Sequence, residues 1–318
     1  MERRSRTDIA LDLDRYLCGA LVLFLNLLKP WISRFRPFVI EEVREITVSK
    51  YVGLGSIVLT RKFFLSLRGI FPKAKITFIT FDMNQGLIKY MDGLFDDVLL
   101  IKTCSARSFI ATSFDTAFSL RKKRVDLYFD LEFFSRYSAL MCFFSGPRTS
   151  VGYESLVLSS RTSMYSHPAK FIPMAHIKEN FVNQVRTLGL EVQDIEGYPE
   201  IRLPEELVDR VRNKIAGLKL LPNQFIIFHG SASEAGTHRV WSKHQWTVLT
   251  KRMLQGSPMP VVFTGLAKDK PFTQGIVGEL RVEGIGESSV MDFTGSLDFD
   301  EFLALIYLSR LVVTVDTG

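Results

Sequence analysis

Four short clusters in this 318-residue chain set glycines, hydroxyls or an arginine directly after an apolar run. A parallel sheet delivers small polar groups to a ligand in this way, at the carboxyl edge of its strands. The first is Val52-Gly53-Leu54-Gly55-Ser56. Gly53 and Gly55 let backbone come close to a ligand, and Ser56 is placed to cap the helix that follows. The run resembles a dinucleotide loop, but GxGxxG needs glycine where Val58 stands, and the acidic residue expected about 20 positions on is poorly placed. A tight turn that packs the helix on the sheet accounts for the same residues.

The second cluster is His229-Gly230-Ser231-Ala232-Ser233, followed by Arg239-Val240-Trp241-Ser242. Ser231 and Ser233 offer N–H and hydroxyl groups to a phosphate, and Arg239 offers a bidentate guanidinium. The competing reading is a polar loop that caps the next helix, with Trp241 packed on the domain and His229 structural. Phe263-Thr264-Gly265, with Lys268 and Asp269 after it, is the third cluster. The fourth is Asp316-Thr317-Gly318, which follows the apolar run Leu311–Val315. Such a turn normally opens a helix whose N-terminus offers free N–H groups to phosphate. The sequence stops at Gly318, so it is expected either to be a piece of a longer chain or to lack half of that site. Loops at the carboxyl ends of parallel strands share one edge, so the last three clusters are expected to converge on one ligand.

Alternating strands and helices position these clusters. Glu45–Val52, Lys75–Phe81, Asp97–Ile101, Val125–Leu131 and Arg148–Tyr153 read as strands. Helices are expected at Ile57–Ile70, Arg107–Arg121, Tyr137–Phe144 and His176–Leu188. A second series runs through strands Gln224–Phe228, Pro260–Thr264, Ser289–Phe293 and Leu311–Val315, with helices between. Apolar strands alternating with helices predict parallel sheets covered on both faces. The domains expected are 41–190 and 223–318, joined by a Pro- and charge-rich segment, 191–222, with one short helix. The architecture is α/β, two Rossmann-like domains facing one another across a cleft.

Composition sets the outer limits. With 47% hydrophobic and 23% charged residues the chain is an ordinary globular protein. Its net charge of +6 favours anionic partners such as nucleotides, phosphorylated sugars or acidic lipid, and is too mild to argue for nucleic acid. Cys18, Cys104 and Cys142 have no metal-ligand spacing and an odd count, which predicts reduced thiols in a cytoplasmic protein and no cysteine-held metal; no cofactor is expected.

The amino terminus, residues 1–40, is apolar and basic. Three arginines lie within Met1–Arg6, and Tyr16–Leu28 is almost wholly apolar. That stretch is about 13 residues, short of the ~20 that span a bilayer. Asp8, Asp12 and Asp14 argue against a signal peptide, as does the lack of a cleavage site. Two readings stand level. One is a helix in the membrane interface, with Trp31 and arginines at the headgroups; the other is a helix packed on the protein's own surface.

The series G-L-G-S-I-V-L-T, V-D-L-Y-F-D-L-E with Arg136, and R-T-S-V-G-Y, in this order, resembles the N-terminal half of glycosyltransferase family 9, the lipopolysaccharide heptosyltransferases. F-H-G-S-A-S, R-V-W-S-K-H-Q-W, V-V-F-T-G, D-F-T-G-S-L and L-V-V-T-V-D-T-G continue the resemblance to the end. It implies a GT-B fold whose second domain is incomplete here. An N-terminal domain would face a lipopolysaccharide core acceptor and a C-terminal domain would bind an ADP-activated heptose. Transfer would be inverting and metal-independent, at the cytoplasmic face of the inner membrane, with peripheral contact through residues 1–40. By position, Arg239 matches the basic residue that contacts the donor diphosphate, and Ser231 and Ser233 the loop beside it. Asp316, Thr317 and Gly318 match the start of the family's D-T-G-x-x-H.

Two departures bear on mechanism. Many members have Gly-Asp where this chain has Gly55-Ser56, and that aspartate is the family's general base. A serine hydroxyl cannot take a proton near neutral pH unless a base assists it. Glu132, expected on the same edge, is the substitute; the alternative reading is a solvated loop residue. The P-x-x-H continuation is also missing, which leaves an open edge beside Leu311–Val315. The rival readings are a non-catalytic relative that binds sugar nucleotide or a partner, and a nicotinamide-dependent oxidoreductase.

Overall fold

The computed structural model describes residues 12–32, 38–154, 159–192, 201–230, 240–257 and 259–315. The chain forms two compact units, Met1–Ile201 and Arg202–Gly318.

The first unit is built on six parallel strands: β1 (Glu45–Ser49), β2 (Lys75–Phe81), β3 (Asp97–Ile101), β4 (Leu127–Asp130), β5 (Thr149–Tyr153) and β6 (His167–Ala169). Their order is β3-β2-β1-β4-β5-β6. Successive side chains along a strand point to opposite faces, and each face has its own helices. Their bounds, in chain order, are α1 (Gly19–Ile32), α2 (Leu54–Val58), α3 (Arg61–Ile70), α4 (Gln85–Ile88), α5 (Ala106–Lys123), α6 (Arg136–Ser145), α7 (Ser159–Thr162) and α8 (Ile177–Arg186). Phe78 of β2 and Phe129 of β4 meet Phe64 and Phe63 of α3, with ring centroids 5.3 and 5.1 Å apart. Their neighbours Ile79 and Tyr128 lie in the opposite layer, with Leu120 of α5, Leu140 of α6 and Val22 and Leu25 of α1.

The amino-terminal helix therefore packs on the unit itself through one face. A π-helical stretch, Leu13–Cys18, leads into α1. Asn26 donates to the Ser160 carbonyl at 2.8 Å and accepts from Ser163 at 2.5 Å. Asp14 accepts the backbone N–H groups of Arg136 and Tyr137 at 3.1 and 2.8 Å, at the start of α6. No helix among the described residues is long and apolar enough to cross a membrane. Trp31's side chain lies outside the described residues.

The sequence predicts one helix over Ile57–Ile70; the structure breaks it into α2 and α3. The N-cap of α2 is Gly53, not Ser56, because the chain turns earlier at a φ of 90° that glycine tolerates. The strand β6 and the short α7 carry no periodic signal. At three residues with a proline, β6 suits the sheet edge it occupies.

The second unit has four parallel strands, β7 (Ile226–His229), β8 (Val261–Thr264), β9 (Val290–Asp292) and β10 (Leu311–Thr314), in the order β10-β7-β8-β9. Helices α9 (Glu205–Ala216), α10 (Lys243–Gly256), α11 (Lys270–Val282) and α12 (Phe299–Leu308) cover it. Phe228, Trp246, Phe263, Ile276 and Leu280 share one buried cluster. Helix α9, from the segment read as a connection, packs on α12, and Lys214 reaches Glu301 at 2.9 Å.

Candidate functional site

In the first unit the strand order reverses between β1 and β4: the chain returns to β1's other side after β3. Loops leaving neighbouring strands at such a point part to opposite faces and open a crevice. The residues after β1 and β4 are those of the first sequence cluster and Glu132, brought together across 80 positions.

Glu132 is buried, not solvated, at 8% exposure. One of its oxygens, Oε1, accepts from Lys50 Nζ at 2.9 Å, Tyr51 N–H at 2.6 Å and Val52 N–H at 2.9 Å. Lys50 Nζ, itself buried, also donates to the Val52 carbonyl at 2.5 Å. The carboxylate thus fastens the backbone just ahead of Gly53 to the end of β4. With Oε1 so engaged, a proton taken from a substrate would go to Oε2.

Gly53 is required by the turn. Its φ is +90°, and a β-carbon there would come within 2.7 Å of Ser56 Oγ. Gly55 falls inside α2. Ser56 Oγ donates to the carbonyls of Gly53 at 2.8 Å and Val52 at 3.2 Å. Its proton is spent on the turn, and its oxygen keeps acceptor capacity.

Beneath this loop is a second carboxylate that sequence reasoning missed. Asp130 is fully buried. Its Oδ2 accepts from Arg161 at 3.1 Å, Ser138 at 2.6 Å and Tyr165 at 2.5 Å; Oδ1 accepts from Ser49 at 3.3 Å and from the Glu132 N–H at 3.0 Å. Arg161 is equally buried and also donates to the carbonyls of Phe133, at 2.7 Å, and Glu132. Burial works against the Arg161 charge, but Tyr165 and Asp130 hold its pKa above the ordinary value. Burial in turn pushes the Tyr165 phenol well up. A strand-end aspartate inside V-D-L-Y-F-D-L-E was the available signal for Asp130. Arg161, in the polar run Ser159-Ser160-Arg161-Thr162, carried none.

In the second unit, Ser231, Ser233, Arg239, Asp316, Thr317 and Gly318 lie outside the described residues. The strands that lead to them are described. His229 of β7 pairs with Thr314 of β10 on one side and Thr264 of β8 on the other. Val315 N–H donates to the His229 carbonyl at 3.4 Å. Three of the four clusters therefore start from adjacent strand ends at one level of one sheet edge.

His229 Nδ1 is 3.0 Å from Thr264 Oγ1, and its ring lies 5.3 Å from that of Phe302. Burial lowers its pKa, against the pull of Asp269. A β-carbon on Gly230 would meet the Trp246 ring at 2.9 Å, so only glycine lets the chain pass. Trp241 packs on Trp246 at 5.4 Å, and Ser242 caps α10 with Gln245. That part of the second cluster is architectural. Asp269 accepts the Leu266 N–H at 2.9 Å and shapes the turn after β8. Among the described residues no group of three or more His, Cys, Asp or Glu side chains could hold a metal ion.

The sequence profile of Glycosyltransferase family 9 (heptosyltransferase) matches residues 116–318. A family 9 glycosyl transferase from Veillonella parvula superposes with a TM-score of 0.67 at 17% identity, covering 85% of this chain and 74% of that one. ADP-heptose LPS heptosyltransferase II of E. coli gives 0.64 at 19% identity, over 87% and 80%. E. coli heptosyltransferase WaaC, solved with ADP, gives 0.63 at 12% identity, over 86% and 82%. At these identities the likeness establishes the fold, which is of the GT-B type. No curated protein sequence matches significantly.

Proposed function

Because the chain belongs to glycosyltransferase family 9 (heptosyltransferase), we propose that it transfers a heptose or related sugar from an ADP-activated donor to a lipopolysaccharide core acceptor. The observation that carries this reading is the alignment of β10, β7 and β8, whose last residues, Thr314, His229 and Thr264, stand in register side by side. Structures of WaaC hold ADP and an ADP-2-deoxy-2-fluoro heptose, which supports a nucleotide-sugar donor.

In this reading Arg239, Ser231, Ser233 and the Asp316–Gly318 turn hold the donor diphosphate. The acceptor meets the first unit at Gly53, Gly55 and Ser56. Its hydroxyl oxygen attacks the anomeric carbon from the face opposite the phosphate, and the carbon–oxygen bond to ADP breaks with inversion. The hydroxyl proton passes to Glu132 Oε2, and ADP leaves with the bonding pair. Charge builds on ADP in the transition state, so electrostatic stabilisation there dominates the rate and no metal is needed. The protein works at the cytoplasmic face of the inner membrane, held peripherally through residues 1–40.

One observation favours a second reading, a non-catalytic relative that binds sugar nucleotide. Where many members have aspartate, Ser56 gives its proton to backbone carbonyls. The oxidoreductase alternative, short of its third glycine at Val58, gains no support from the family.

Transfer from ADP-heptose to a core oligosaccharide lacking heptose, followed by mass spectrometry, separates these readings. Product should form, and Arg239→Ala should lower kcat/KM by ~2–4 kcal/mol of transition-state stabilisation. Unchanged turnover in that variant removes Arg239 from the mechanism. Tight ADP-heptose binding without product from any acceptor would establish the second reading.

A further inference from the structure

We propose that α1 and α5 together form one docking surface for an anionic phospholipid bilayer. The inference rests on the membrane contact put forward above for residues 1–40. It extends that contact to α5, Ala106–Lys123, a helix well separated from residues 1–40 in sequence.

Helix α5 buries Thr116, Ala117 and Leu120 against the sheet. On its outer side Ile110, Phe114 and Phe118 recur every fourth residue, one above another, at 54%, 68% and 61% exposure. Helix α1 is split in the same way: Val22 and Leu25 are buried, while Phe24 and Leu27 face out. The two helices belong to one layer. Helix α6 touches both of them, α5 and α1 with its π-helical lead-in. Their inner residues join a single buried cluster on one face of the six-stranded sheet. The outward stripes therefore look the same way, away from that sheet.

Charge selects the occupant. The outer side of α5 has Arg107 at one end and Arg121 and Lys122 at the other, against one acid, Asp115. Lys122 Nζ lies 4.5 Å over the Phe118 ring, its charge held beside the apolar stripe. Arg15 is exposed ahead of α1, and the sequence flanking that helix carries Arg3, Arg4, Arg6, Arg34 and Arg36 against Glu2, Asp8, Asp12 and Asp14, of which Asp14 is bound to the start of α6. Apolar residues bordered by cations suit the headgroup region of an acidic leaflet, where aromatic side chains enter and Lys and Arg meet phosphates. A second copy would set these cations against one another.

The test is flotation of the full chain with vesicles of phosphatidylglycerol mixed with phosphatidylcholine, beside vesicles of phosphatidylcholine alone. The wild type should float with the acidic vesicles, more weakly at high salt and hardly at all with the neutral ones. Phe114→Ser/Phe118→Ser should weaken that binding at least about tenfold, since two large side chains no longer leave water. Arg121→Glu/Lys122→Glu should weaken it although Ile110, Phe114 and Phe118 are all kept. All four positions are exposed, so unchanged thermal unfolding should accompany the loss, and transfer to a soluble core oligosaccharide should persist.

Wild-type binding that both α5 variants retain overturns the composite surface but leaves contact through residues 1–40 standing. Absence of wild-type binding overturns both. A concentration-dependent dimer that Phe114→Ser/Phe118→Ser dissolves would assign the surface to a second copy and overturn the proposal.

Discussion

Glu132 brings a negative charge into a nearly closed site and binds three donors with one oxygen, one of them the buried Lys50 ammonium. Breaking a buried pair by removing one partner's charge costs more than the pair contributes, because the other charge stays buried alone. Glu132→Gln should therefore cost ~3 kcal/mol in urea unfolding. If Oε2 also takes the acceptor proton, kcat should fall about a hundredfold or more while the donor KM holds. Adding Lys50→Met should restore much of the stability and none of the turnover. Recovery of both would make Glu132 purely architectural. The sequence placed Glu132 on the right edge but left it between a base and a solvated loop residue. Its burial depends on a lysine 82 residues away, a separation that no local pattern reports.

Helix α6 depends on a residue from another part of the chain. Its own N-cap, Ser135, accepts from Ser138 N–H. Asp14 takes the N–H groups of Arg136 and Tyr137 and accepts from the Ser135 hydroxyl at 3.1 Å. A carboxylate there satisfies donors that a helix leaves open and meets the positive end of its dipole. Asp14→Ala should cost ~1 kcal/mol. Faster hydrogen exchange should appear in both α6 and the segment Leu13–Cys18. Exchange confined to one of the two would show that Asp14 does not join them. Most elements were legible as periodic runs, since a sheet covered on both faces demands apolar strands. The division of α2 from α3 was not, because it falls at Leu59 and Thr60, where the backbone stays in the helical region and no glycine or proline marks the break.

Across the whole molecule, two histidines tie stability to pH. Burial lowers the pKa of His167 in the first unit and of His229 in the second below the ordinary 6.5. The folded state therefore holds these rings neutral where the unfolded chain already binds a proton. Stability is fully present above about pH 6.5, declines as pH falls from there through the folded-state values, and then levels off. His229→Asn should flatten the acid side of the second unit's stability curve, and His167→Asn that of the first unit's. Thermal midpoints between pH 7.5 and 5 would test this, and identical slopes in wild type and His229→Asn would remove the assignment.

By resemblance the sequence indicated the family; by itself it determined the alternation of elements, the two parallel sheets and the positions of Gly53 and Thr264 at or just beyond strand ends. Those properties follow from local apolar periodicity and from glycine and hydroxyl residues directly after apolar runs. Tertiary structure alone decided that β1 and β4 are neighbours, and hence that Lys50 meets Glu132; it also brought Arg161, from the segment between β5 and β6, to Asp130. It also divided the amino-terminal helix between a docked face and an exposed one. Strand order and helix facing are set by which buried surfaces fit together over long sequence separations, and by the demand that each buried charge find a partner.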